Sequence, residues 1–263
     1  MHKPVFFKLK VIIIFLLSIL FSCAHSHEFW LEPENFNSTS EKSIIHIKIG
    51  TKFNGSKFGF KKKFKDKLYK ENFYEGKNEL NQKDGSFPAF TFNISDKFNI
   101  ITYVNRFNFL KYRSLKGFEN FLSEQNLTEI IKNYDRDKIP TEYYKRFAKT
   151  IINYNSDNFF VQKPTLDFEI IVLNKKKNLA ELALFKDGDP LKNWPVEIFS
   201  KDIRGVVFSK KTKTNNKGIF DINLIKNRTY LVNSVTVFST EEKPELNLNA
   251  DWISYWASLT FQN

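Results

Sequence analysis

The residues best placed to do chemistry are His25, His27 and Glu28, in the run His25-Ser26-His27-Glu28 that follows a short apolar segment. A cut in this stretch would expose a new amine with a pKa of about 8, whose proton a metal displaces readily at neutral pH. Nickel and copper gain most from nitrogen donors among the divalent ions. If His25 becomes the first residue, His27 is the third, and an amine, two deprotonated amides and an imidazole could enclose Cu(II) or Ni(II) in a square plane. If His27 is first, its amine and ring form a two-nitrogen bite, and Glu28, Glu32 and His46 are the candidates for further donors. On an extended strand His27 shares a face with Phe29, whereas Glu28 points the other way with Trp30 and Glu32. His46 would have to come from a neighbouring strand, and its competing reading is a partly exposed strand residue.

Counting excludes much else. The single cysteine, Cys23, lies in the N-terminal segment, so disulfides, a thiol nucleophile and cysteine-based zinc or iron–sulfur sites are not expected in the folded part. Beyond position 46 there is no histidine, which rules out a Ser-His-Asp triad or an imidazole-rich centre in the last 200 or so residues. Acid pairs such as Glu241/Glu242 and Asp187/Asp189 read as solvated or turn-borne carboxylates without the environment that shifts a general acid's pKa. A non-enzymatic protein is the expectation.

Lys3, Lys8 and Lys10 precede an apolar run over 11–21 interrupted only by Ser18, the charge–apolar–small order of a secretory signal. Eleven helical residues rise only about 16 Å, too short for a transmembrane anchor. Residues 1–26 are therefore read as a signal peptide, and the periplasm or outer envelope as the destination. Cleavage has three solutions: before a lipid-modified Cys23, since Leu20-Phe21-Ser22-Cys23 resembles a lipobox; after Ala24; or after Ser26. The formal charge of +12 falls to +9 once the three leader lysines are removed. That permits attraction to anionic envelope surfaces without establishing it.

The elements that must hold these groups are mainly strands. Residues 27–112 read as an N-terminal β domain, with strand signals at 28–32, 43–50 and 89–109. Within it, seven lysines between positions 57 and 70 interleave with Phe58, Phe60 and Phe64. They read as a solvated edge strand whose lysines resist edge pairing, and no nucleic-acid partner is expected. Over 113–164 the apolar spacing becomes three-to-four, predicting a helical insert and linker: Leu115, Phe118, Phe121 and Leu122, then Ile130 and Ile131, then Tyr143, Phe147 and Ile151 behind Pro140. Lys145, Arg146 and Lys149 fall on the opposite, solvated face of that predicted helix. From 165 to 263 about seven strand signals alternate with turns such as Asp187-Gly188-Asp189-Pro190, the spacing of an antiparallel sandwich. The expected fold is mainly β, with two sandwich domains of immunoglobulin-like or transthyretin-like kind separated by the helical insert.

Four motifs resemble one family of bacterial exported proteins, DUF4198. They are Ala24-His25-Ser26-His27-Glu28-Phe29-Trp30-Leu31-Glu32-Pro33, the segment Tyr143 to Thr150, the run from Asp187 to Phe199, and the closing Asp251 to Phe261. The resemblance implies a last domain of transthyretin-like or Cna-B-like form. It also implies, for some members, a periplasmic metal-binding role beside nickel or cobalt uptake systems, with the histidine after the signal, here His27, as ligand. It supplies no catalytic residue. The expectation is an exported accessory protein that carries Ni(II) or Co(II), or else Cu(II), to components of a membrane metal-uptake transporter. The alternative is a structural or adhesive envelope module that binds glycan or protein.

Overall fold

The computed structural model describes residues 27–38, 42–94 and 97–263. The proposed leader, Cys23 and His25 lie outside the described residues. In chain order the first half contains β1 (Glu28–Pro33), β2 (Lys42–Thr51), β3 (Asn54–Phe58), β4 (Lys65–Asn72), β5 (Gly76–Glu79), β6 (Phe90–Asn93), β7 (Asn99–Asn105) and β8 (Asn108–Lys111). Helix α1 (Leu115–Glu124) and β9 (Thr141–Ile152) follow. The remainder comprises β10 (Phe168–Lys176), β11 (Leu179–Lys186), β12 (Asp189–Pro190), β13 (Pro195–Lys201), β14 (Val207–Lys213), β15 (Ile219–Asn223), β16 (Thr229–Ser239) and β17 (Trp252–Gln262).

The architecture is mainly β, as the strand signals predict, and it is organised around one nine-stranded sheet running β14-β13-β16-β17-β9-β7-β4-β5, with β8 also paired to β9. Its centre is the parallel pair β9–β17, with Trp252 opposite Glu142 and Trp256 opposite Arg146. Strands from both halves of the chain therefore share one sheet. Alternate residues of its central strands feed opposite cores. On one face Ile253, Tyr255, Leu259 and Phe261 of β17, with Phe147 and Ile151 of β9, pack on Phe168, Ile170, Leu182 and Leu184 from the four-stranded sheet β10-β11-β12/β15. On the other face Ala148 and Ile152 meet Phe29, Leu31, Ile45 and Ile47 from the four-stranded sheet of β1, β2, β3 and β6. Beside that small sheet, Trp252 and Trp256 pack under Phe118, Phe121 and Leu122 of α1. The result is a stack of three layers.

The segment 141–152 corrects the helical reading. Its apolar residues come in adjacent pairs, Tyr143-Tyr144, Phe147-Ala148 and Ile151-Ile152, which mimics a helical stripe. In a strand covered on both sides each pair instead splits, one member to either core, so simple alternation disappears. Lys149 is consequently not solvated. It is only 2% exposed, paired with Glu169 and bonded to Gln162 Oε1 at 2.9 Å. The helical insert itself is confined to α1, capped where Ser114 Oγ accepts the Gly117 N–H at 3.2 Å, and short 3-10 turns such as Thr128–Ile131. The lysine block divides. β3 is an edge strand as expected, while β4 is an interior strand between β5 and β7, with Leu68 and Tyr69 buried. Among the described residues no helix is long and apolar enough to cross a membrane.

Candidate functional site

β1 carries the start of the described chain, and its burial follows from how it is seated. Leu31 O accepts a hydrogen bond from Thr260 Oγ1 at 2.6 Å, so the backbone edge of β1 rests on the central sheet. Both sets of alternate side chains are then covered: Phe29 and Leu31 enter one cluster, and Trp30 enters another with Phe53, Phe199 and Leu231. Gly55 lets the Trp30 indole lie against the β2–β3 hairpin, since a Cβ there would stand 2.6 Å from the ring.

This seating traps Glu28. Its side chain is 8% exposed, and Oε2 has no hydrogen-bond partner. Burial, reinforced by the charge of Glu197 on β13, raises its pKa from 4.5 to about 7, against backbone N–H bonds from Glu28 and Lys52 that lower it. The Glu197 carboxyl is itself pushed up by burial, against the charges of Lys211 and Lys52, which lower it. Two desolvated carboxyls thus lie near each other at the head of β1, beside the exposed His27. An arrangement of this kind gains free energy from an added cation, because a positive charge replaces the partner Oε2 lacks and offsets the repulsion.

The other predicted donors are elsewhere. Glu32 is committed: it accepts from Trp30 Nε1 and Lys48 Nζ, both at 2.8 Å, and these bonds hold its carboxyl below the usual range although burial raises it. His46 does lie on the neighbouring strand, directly opposite Glu32, but Glu28 pairs with Gly50. Four residues of strand separate the two positions, roughly 13 Å. His46 is buried rather than partly exposed, with Nε2 2.8 Å from Glu34 Oε1 and Nδ1 without a partner. Among the described residues no group of three or more His, Cys, Asp and Glu side chains is gathered to hold a metal. The structure therefore brings Glu28 to the head of β1 beside His27, and leaves His46 in the middle of β2, opposite Glu32.

A second feature, a buried carboxyl network around Glu142, has no signature in residue type or spacing. Glu142, on β9, is 2% exposed and accepts hydrogen bonds from the hydroxyls of Tyr112, at 2.5 Å, and Ser254, which in turn accepts from Trp256 Nε1 at 2.8 Å. Burial raises the Glu142 carboxyl despite those bonds, and burial together with the adjacent Glu142 raises the Tyr112 phenol. Four residues along β9, the Arg146 guanidinium lies over the rings of Tyr144, Phe29 and Trp256 at 4.7, 5.5 and 6.0 Å. Burial pushes its pKa down. Its Nε is buried and unpartnered, so Arg146 is not on the solvated surface that helical spacing predicts.

The family model described as a domain of unknown function, DUF4198, matches residues 24–237, most of the chain. The protein belongs to the DUF4198 family. The match begins before Glu28 and runs through β1, Arg146 and Glu197, so both features lie in the part of this DUF4198 chain that the family model covers. Comparison with curated proteins gives no match. Among solved structures, the crystal structure of a tetra-tandem repeat in the extending region of a large adhesion protein is similar at 8% identity and a TM-score of 0.22, over 90% of this chain and 50% of that one. The chain thus spans about half of that structure, and a TM-score of this size identifies neither a shared fold nor a shared role.

Proposed function

We propose that this protein is an exported, non-enzymatic carrier of a transition metal ion, Ni(II) or Co(II) in the first instance and Cu(II) next, held at the head of β1. The observation that carries the reading is the buried, unpartnered Glu28 carboxylate, beside Glu197 and one residue from His27. The cargo would take the His27 imidazole and the amine freed by leader cleavage as nitrogen donors, with His25 added if cleavage falls before it. Glu28 would supply the anionic oxygen that favours a charged ion over none. Delivery to the components of a membrane uptake system follows from an ion held at a chain terminus, where few donors need to exchange.

Exported protein, purified with its natural amino terminus, should bind Ni(II) in preference to Mg(II), because imidazole and amine nitrogens favour the former. Replacing His25 and His27 together by Ala should abolish that preference, and Glu28→Gln should weaken binding by about tenfold, the loss expected of one charge-assisted contact. Unchanged nickel affinity in the double-alanine variant would remove the metal role and leave a structural or adhesive envelope module.

A further inference from the structure

On the same face of the central sheet, in the seam between the small sheet and the β7–β9 region, lies a cavity of about 230 Å³. Its walls are mainly apolar and aromatic, with Phe29 from β1, Ile47 and Ile49 from β2, and Tyr103 and Tyr144 from β7 and β9, and Asn105 and Asn108 add neutral polar groups. Phe58 and Phe64 stand exposed at its rim. The charged groups in the lining are Lys61 and Arg146; no carboxylate is among them. Lys61 is solvated, whereas Arg146 is held by three rings with its Nε–H buried and unpaired, and no carboxylate lies within ion-pair distance of it among the described residues. Glu142, the nearest acid on its own strand, is already occupied by Tyr112 and Ser254. A guanidinium keeps its charge under these conditions, and leaving such a donor buried and unmatched is costly. An anion brought by a ligand would remove that cost.

Size and lining restrict which anion. An apolar cavity of about 150 Å³ is enough to admit benzene, so this one has room for a single ring with a small substituent. A fully hydrated inorganic anion would leave the Phe29, Ile47, Ile49 and Tyr103 walls without a partner. We infer that this cavity binds a small organic carboxylate with a flat apolar body, the carboxylate paired with the Arg146 guanidinium with Lys61 at the mouth and the body lying between β2 and Tyr103. This site is separate from the head of β1 and does not depend on metal binding.

The test uses benzoate, its neutral isostere benzamide and inorganic phosphate as probes, with the Arg146 Nε–H resonance followed by nuclear magnetic resonance. Benzoate should bind about tenfold or more tightly than benzamide, as expected for a charge-assisted bond to a part-buried donor, and should move the Nε–H signal downfield. Arg146→Gln should cut the difference between benzoate and benzamide to the several-fold part that Lys61 supplies. Because Arg146 also packs against three rings, Lys61→Gln, at the solvated mouth, serves as the second variant and should weaken benzoate several-fold while leaving benzamide unchanged. Equal affinity for benzoate and benzamide, an unmoved Nε–H signal at saturating benzoate, or phosphate binding as tightly as benzoate would each overturn the assignment.

Discussion

Replacing Glu28 by Gln should make the protein more stable at pH 8 and leave it nearly unchanged at pH 4.5. A native pKa raised from 4.5 to about 7 means that the folded chain keeps a proton which the unfolded chain has already released in that interval. The unfolded state binds fewer protons, so stability falls as pH rises from about 4.5 to about 7, and the loss is complete above the native value. A shift of this size corresponds to about 3 kcal/mol. Glu28 is almost fully buried, so solvent screening reduces this little. Gln keeps an oxygen to accept the Lys52 N–H and cannot ionise. Urea unfolding of wild type and variant across pH 4.5–8 should therefore give a difference that grows to about 3 kcal/mol in the variant's favour, with groups common to both, such as Glu142, cancelling. Relief of Glu197 adds to the same sign. Saturating Ni(II) at pH 8 should narrow the gap, since the ion stabilises only the ionised carboxylate. Parallel stability curves across the pH range would refute both the desolvation of Glu28 and the electrostatic case for a cation beside it.

Other perturbations follow from the packing. Lys149→Met should cost about 3–5 kcal/mol in urea unfolding by leaving Glu169 buried without its partner, and adding Glu169→Gln to it should recover much of that loss. In Gly55→Ala the new methyl would meet both the Trp30 ring and Ile49 O at 2.6 Å, so a loss of about 1–3 kcal/mol is expected, read as a lower midpoint with an unchanged urea slope. Tyr112→Phe should cost about 1–3 kcal/mol by withdrawing a donor from the buried Glu142 carboxyl, and this cost should shrink in a Glu142→Gln background in a double-mutant cycle.

Much of the fold is written locally. The strands of the C-terminal half fall close to where their apolar runs and turns place them. The Asp187-Gly188 turn is formed by two residues at positive φ that join paired Lys186 and Asp189. The Leu115/Phe118/Phe121/Leu122 stripe likewise marks α1. β9 escapes because a strand packed between two other layers has no solvent face to mark its period, and its parallel partner β17 lies more than 100 residues away in sequence. The site was legible only in part. His27 and Glu28 could be singled out by residue type, but the raised pKa of Glu28 comes from the burial of β1, seated on Thr260, and from the charge of Glu197. A strand histidine carries no sign of its partner in the sequence, and that partner, Glu34, lies 12 residues earlier in the chain. The Arg146 cavity is assembled from segments too dispersed for any spacing rule to connect.

Electron paramagnetic resonance of Cu(II) added to the protein purified with its natural amino terminus, established by mass spectrometry, addresses the metal site most directly. One copper per chain with nitrogen hyperfine structure, lost when His25 and His27 are both replaced by Ala, is the predicted spectrum. A signal indistinguishable from hydrated copper, or nitrogen couplings that survive that replacement, would contradict a metal held at the head of β1.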